Sequence, residues 1–282
     1  MNQAFSFDRW LLLVGKHWSE NRKKYLLAIL AMTGVLLIWF LFNIVMESYE
    51  PMGFGVQVGT YFVGLFIIGC LYGSTIFAEL GSKTKGTNYL SLPASQLEKT
   101  LCALFYSVLA FFVVYTLLFY VADFIMVKIA NQVSYSYWLK NHAPGGVYRT
   151  QAIANVFSSE ERIHHSRVNA NLVVLLAYLS IQAGYILGSV YFNRFSFIKT
   201  TVVILVLWLF MIVFVGKVMD AIVPAGHYYE GLTAYELNNT GNEQKIIRLP
   251  EWVDNVSIFL LQYAFAPILW TVAFFRVKEK EI

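Results

Sequence analysis

Six apolar runs, each near the length of a bilayer crossing, alternate along the chain with shorter polar stretches. They cover roughly residues 25–46, 53–78, 100–127, 169–192, 200–222 and 255–275. About 20 apolar residues at ~1.5 Å rise per residue cross ~30 Å of hydrocarbon. Within hydrocarbon a peptide group can be satisfied only by the segment itself, so runs of this kind fold as helices. The pattern predicts an all-α integral membrane protein with six transmembrane helices. The first run, YLLAILAMTGVLLIWFLFNIVM, carries no charge. It is too long for a signal-peptide core and no small-residue cleavage site follows it, so it is expected to be retained.

Composition fits this pattern. Hydrophobic residues make up 58% of the chain and charged residues 13%, against about 25% charged in a soluble domain. The net charge of +4 is modest and calls for no nucleic-acid partner. Its placement says more. With a cytoplasmic N-terminus, the inside segments are 1–24, 79–99, 193–199 and 276–282. They hold Arg9, Lys16, Arg22, Lys23, Lys24, Lys83, Lys85, Lys99, Arg194, Lys199, Arg276, Lys278 and Lys280, which are 13 of the 21 Lys and Arg. Glu47, Glu50, Glu160, Glu161, Asp220, Glu230, Glu236 and Glu243 fall outside. The positive-inside rule then sets both termini inside. Cys70 and Cys102 lie in spans, so no extracytoplasmic disulfide is expected.

Two domains are expected. Residues 1–24 read as an interfacial amphipathic helix. Phe5, Trp10, Leu11, Leu13, Val14 and Trp18 supply its apolar area, and Asp8, Arg9, Lys16, Glu20 and Arg22 its polar face. Such a helix lies in the headgroup plane and would turn sharply into the first span. Residues 25–282 form the six-span domain.

Glycines mark helix packing. Gly55 and Gly59, then Gly69 and Gly73, recur at spacings that place them near one stripe of the second span. Ser180, Gly184 and Gly188 repeat the habit in the fourth. Small residues let membrane helices approach closely. Asp123, near the outer end of the third span, is the one carboxylate well inside a span and is expected to be wet at the interface. Gln57, Gln182 and Gln262 can bridge helices or line a cavity.

Between spans two and three, the loop 79–99 reads ELGSKTKGTNYLSLPASQLEK. A basic stretch is followed by Tyr89, Leu90 and Leu92 and then by Pro93. Ser95 and Glu98 have the spacing of a capping box opening the third span. Apolar side chains framed by charge point to a protein-docking surface, or to a loop anchored in the interface.

Two larger outside segments remain. Residues 128–168 form a polar loop with a Pro144-Gly145-Gly146 turn. They carry Glu160, Glu161, His164 and His165, readable as a metal or catalytic cluster or as a solvated face. In residues 223–252 two alternating runs, 232–237 and 244–249, flank a turn-rich linker and predict a small β-hairpin. No phosphate-binding loop, dinucleotide fingerprint, HExxH or nucleophile elbow occurs, so ATP hydrolysis is not expected on this chain.

The order of parts resembles the permease subunits of type-2 ABC exporters, and the stretch from Lys85 to Ser95 with Glu98-Lys99 looks like the coupling loop of one branch of that group. The resemblance implies a bacterial cytoplasmic (inner) membrane, and no cofactor and no catalytic residue on this chain. ATP and Mg would sit on a cytoplasmic ABC ATPase partner, and a second permease chain, identical or not, would complete the path through the lipid bilayer. It also implies that Lys83, Lys85, Tyr89, Leu90, Leu92 and Glu98 dock the ATPase. From other classes, a metal-dependent membrane hydrolase would use Glu160, Glu161, His164 and His165, and a structural membrane subunit would move nothing.

Overall fold

A computed structural model describes residues 5–46, 51–81, 86–87, 91–141, 148–157, 170–222, 228–230, 234–238, 244–248, 252, 256 and 259–280. Helix α1 runs from Phe7 to Met46. Its 40 residues extend ~60 Å at ~1.5 Å per residue. The sharp turn expected near residue 24 is absent, because α1 passes through Arg22, Lys23, Lys24 and Tyr25 without a break. Neither proline nor glycine occurs between Lys16 and Thr33, so nothing interrupts the i→i−4 hydrogen bonds there.

Helix α2 (Phe54–Gly73) leads into a 3₁₀ turn, Ala78–Gly81. Helix α3 (Gln96–Leu104) passes through a π-helical segment, Phe105–Ala110, into α4 (Phe111–Asn141). Together they form 46 continuous helical residues. The segment expected to be an outside loop from residue 128 therefore begins as helix, continuing to Asn141. Helices α5 (Ala170–Tyr191) and α6 (Ser196–Ile222) follow. The turn between them holds Phe195 at φ 54°, in the left-handed region. The last helix, α7 (Phe265–Glu279), is preceded by a second π segment, Leu260–Ala264.

Among the described residues, five helices are long and apolar enough to cross a membrane: Phe7–Met46, Phe54–Gly73, Gln96–Asn141, Ala170–Tyr191 and Ser196–Phe214. The sixth apolar run is helical over Leu260–Ala264 and Phe265–Glu279. Short strands β1 (Tyr228–Glu230), β2 (Ala234–Asn238) and β3 (Gln244–Arg248) pair antiparallel in that order, with Tyr229 opposite Tyr235 and Glu236 opposite Ile246.

Helix α5 packs against α2, α6 and α7, while α1 lies along α3 and α4. One core cluster joins Phe40 of α1, Tyr61 and Leu65 of α2, Tyr115 and Phe119 of α4, and Tyr178 of α5. A second joins Phe77, Ala103, Ile186, Val190, Ala273 and Val277. Aromatic hydroxyls in the first cluster find partners across helices. Tyr115 Oη donates to the Tyr61 carbonyl at 2.9 Å, and Tyr61 Oη pairs with Thr116 Oγ1 at 3.0 Å.

Glutamines bridge elements. Gln57 is fully buried; its Nε2 donates to Met52 O at 3.1 Å and Ala152 O at 3.3 Å, and its Oε1 accepts from Ala154 N at 2.7 Å. It thereby holds the segment 148–157 against the start of α2. Gln182 Nε2 donates to Ser107 O at 2.8 Å, satisfying a carbonyl inside the first π segment. Asp123 departs from expectation. It is fully buried rather than wet, and neither carboxylate oxygen has a hydrogen-bond partner among the described residues. Packing of α4 against α1 and α2 covers the face that sequence position alone had placed in water.

Candidate functional site

The loop between α2 and α3 is fixed at both ends. At its entry, Phe77 is buried in the second core cluster against residues of α3, α5 and α7. At its exit, Ser95 has extended backbone geometry and caps α3: its Oγ accepts from Glu98 N at 3.1 Å, while Glu98 Oε2 accepts from Ser95 N at 2.8 Å. This capping box satisfies donors that the first turn of a helix cannot pair internally. Between these ends, Ser91 N donates to Thr87 O at 2.9 Å, the spacing of one helical turn. Ala94 N donates to Leu92 O at 2.7 Å, closing the chain just after Pro93.

Glu98 does more than cap. Its Oε1 accepts from Ser6 N at 2.7 Å and from Arg9 Nη2 at 3.0 Å. One carboxylate therefore serves two donors besides the cap, and joins the start of α1 to the start of α3. The carboxylate is fully buried, while the Arg9 side chain is 43% exposed. Charge-assisted hydrogen bonds of this kind are about twice as strong as neutral ones. Two further contacts lie alongside: Trp10 meets Phe105 edge-on at 5.6 Å, and Tyr106 Oη donates to Val14 O at 2.9 Å.

The sequence-derived site residues separate accordingly. Lys83, Lys85, Tyr89 and Leu90 lie outside the described residues, as do Glu160, Glu161, His164 and His165. Leu92 is half-buried. Glu98, expected on a docking surface, has no surface to offer, because its oxygens are committed to Ser6, Arg9 and Ser95. The part sequence reading missed is this link to Ser6 and Arg9. A partner 89 positions away leaves no local signal.

The glycines also divide. A Cβ added at Gly69 would run into Tyr178, and one at Gly188 into Thr200. At Gly73 it would meet Ile186 Cγ1 at 3.4 Å, and at Gly184 Ile204 Cδ1 at 3.5 Å. These four let α2 and α6 approach α5. Gly55 and Gly59 have nothing within 4 Å of such a Cβ among the described residues, so the expected stripe does not pack there over its first half. Gly64, which the spacing did not single out, is pressed against Tyr115.

Chemically, the Glu98 arrangement is a strut. It couples a loop to a helix start and offers no free nucleophile or base. Among the described residues no group of three His, Cys, Asp or Glu is placed to hold a metal. Both cysteines are free and buried. The fold and this site define a multi-pass helical membrane protein. No family profile, curated protein or solved structure matches the chain.

Proposed function

We propose that the chain is the membrane-spanning subunit of an ATP-driven exporter of the type-2 ABC class. In this reading it has six spans with both termini cytoplasmic, lies in a bacterial inner membrane and works with a separate cytoplasmic ATPase that holds ATP and Mg. The observation that carries it is the loop after α2, clamped by Phe77 at one end and by the Ser95–Glu98 box at the other. A loop held at both ends moves as a unit with the helices that hold it. The same carboxylate passes any displacement to the start of α1. This is what a connection between a cytoplasmic motor and the spans requires, and it joins the sequence resemblance of residues 85–99 in support.

Docking falls to Lys83, Lys85, Tyr89, Leu90 and Leu92 in this reading, with Glu98 acting by position alone. Helix α6 supports a second permease chain. Val202, Leu205, Trp208, Phe210 and Phe214 are all exposed on it, and apolar residues on every side of a helix call for lipid or another helix around them.

Co-purification tests the reading. A Tyr89→Ala, Leu92→Ala double variant should insert normally yet lose its ATPase partner, since truncating interface anchors often costs about 2 kcal/mol or more of binding. Replacing Lys83 and Lys85 should weaken association mainly at low salt. If no ATPase accompanies the parent chain, or the double variant retains a full complement, the permease reading fails.

A further inference from the structure

A groove of about 360 Å³ opens on the side of the molecule between α1, α2 and the α3–α4 helix. Its depth is hydrocarbon-like, lined by Ile29, Met32, Ile68, Leu71, Phe111 and Val114. Its other end is aromatic. Trp18 and Tyr25 stack at 5.8 Å, Tyr25 and Tyr106 stack at 5.7 Å, and Tyr72 meets Tyr25 edge-on at 6.3 Å. The nearby polar atoms are spent within the protein. Tyr25 Oη pairs with His17 Nε2 at 2.6 Å, Tyr106 Oη donates to Val14 O, and Thr75 Oγ1 donates to Tyr72 O at 2.8 Å. What lines the groove is otherwise almost wholly apolar and suits hydrocarbon.

Charge stands at the aromatic end. On α1 the groove residues Trp18, Tyr25, Ile29 and Met32 follow one helical stripe, and Arg22 belongs to the same stripe, four residues after Trp18 and three before Tyr25. Arg22, Lys23 and Lys24 are exposed and have no ion-pair partner among the described residues; Lys24 Nζ donates to Asn21 Oδ1 at 3.2 Å. The nearest acid along α1, Glu20, is paired with Lys16 at 3.7 Å.

We infer that this groove binds an anionic phospholipid, with one acyl chain in the groove and the phosphate beside Arg22. Dimensions agree. From Trp18 to Met32 the stripe rises ~21 Å at ~1.5 Å per residue. One leaflet contributes ~15 Å of a ~30 Å core, so the stripe covers a leaflet and its interface, where Trp and Tyr concentrate. A helix ~10–12 Å across with its side chains does not fit in such a volume. Basic residues at the membrane surface attract anionic headgroups.

Photolabelling in vesicles tests this. Phosphatidylglycerol and phosphatidylcholine carrying the same diazirine acyl chain are each reconstituted with the full chain in phosphatidylcholine vesicles. Labelled peptides are then mapped by mass spectrometry. Peptides containing Met32 and Leu71 should be labelled more by phosphatidylglycerol. Arg22→Gln should reduce that excess roughly fivefold, and Lys24→Gln, two positions on and off the groove stripe, should reduce it less. Ala28→Trp, which fills the groove, should abolish labelling there by both lipids. Labelling of Leu117 and Val121, exposed on α4 and outside the groove lining, should stay constant in every variant, which shows that each has inserted, and elution as the same single species as the parent shows that each has folded. Equal labelling by the two headgroups, or an excess untouched by the charge replacements, would leave only unselective contact and overturn the proposal. So would unlabelled groove peptides beside labelled Leu117 and Val121, since protein, such as a second copy, would then cover the groove.

Discussion

Arg9 Nη2 lies 3.0 Å from Glu98 Oε1, across 89 residues of sequence, and the two ends of this pair are unequal. The carboxylate is fully buried and the guanidinium side chain is 43% exposed. Losing the buried end strands donors, whereas losing the exposed end lets water take over. Glu98→Ala, which orphans Ser6 N and Ser95 N as well, should cost about 2–3 kcal/mol. Arg9→Gln should cost at most about 1 kcal/mol, because solvent screens the pair. Glu98→Gln, keeping one acceptor oxygen, should fall between. Thermal unfolding in detergent orders the three, and equal losses for Arg9→Gln and Glu98→Ala would show that the pair alone, not the cap, holds this corner.

The two halves of the glycine stripe should respond differently. Gly69→Ala drives a methyl group into Tyr178, and overpacking of this kind costs about 1–3 kcal/mol. Gly59→Ala meets nothing within 4 Å among the described residues and should be neutral or slightly stabilising, since alanine favours the helix by about 1 kcal/mol. Tyr178→Phe should partly rescue Gly69→Ala, because the hydroxyl is the nearest atom to the added carbon and makes no hydrogen bond of its own among the described residues. Melting temperatures of the single and double variants read the coupling directly.

Asp123 should be a burden on stability. Both of its oxygens are buried without a partner among the described residues, and an unmade buried hydrogen bond costs about 1–3 kcal/mol. Stability in detergent should rise in the order Asp123, Asn, Leu at this position. A fall on replacing Asp123 would reveal a partner bound in the membrane, and a search for a cation or a second chain would follow.

Phe195 holds a left-handed backbone at φ 54° and is 74% exposed. Such strain costs a bulky residue of order 1 kcal/mol or more, and glycine adopts the same geometry without penalty. Phe195→Gly should therefore raise the melting temperature. An unchanged or lower value would mean that the ring gains from lipid or a partner what the backbone loses.

Much of this architecture was legible because its signals are local. Hydropathy located the helices, since a span must satisfy its own peptide groups. The Ser95–Glu98 box was readable three residues apart. The continuation of α1 through residue 24 was also written in the chain, as a stretch without proline or glycine, but a change of polarity at Tyr25 looked like a boundary. Other features depend on contacts distant in sequence. Spacing put Gly59 and Gly69 near one stripe, yet only the arrival of Tyr178 separates them. Asp123 looked wet by position and is covered by neighbours from other helices. Nothing near Glu98 announces Ser6 or Arg9.

The π segment at Phe105–Ala110 makes the long α3–α4 helix tolerant of a change in length. A π turn holds an extra residue relative to an α turn, so it is a place where one residue can leave without cutting the helix. Deleting Val108 should let this turn tighten to α geometry. The same deletion at Val121, in regular helix, would rotate every later side chain by ~100° and misplace the buried face through Ala130 and Ser134. The molecule thus carries a spare notch between the half of the helix that faces the loop and the half that faces the core, and length polymorphism in this helix should be confined to it.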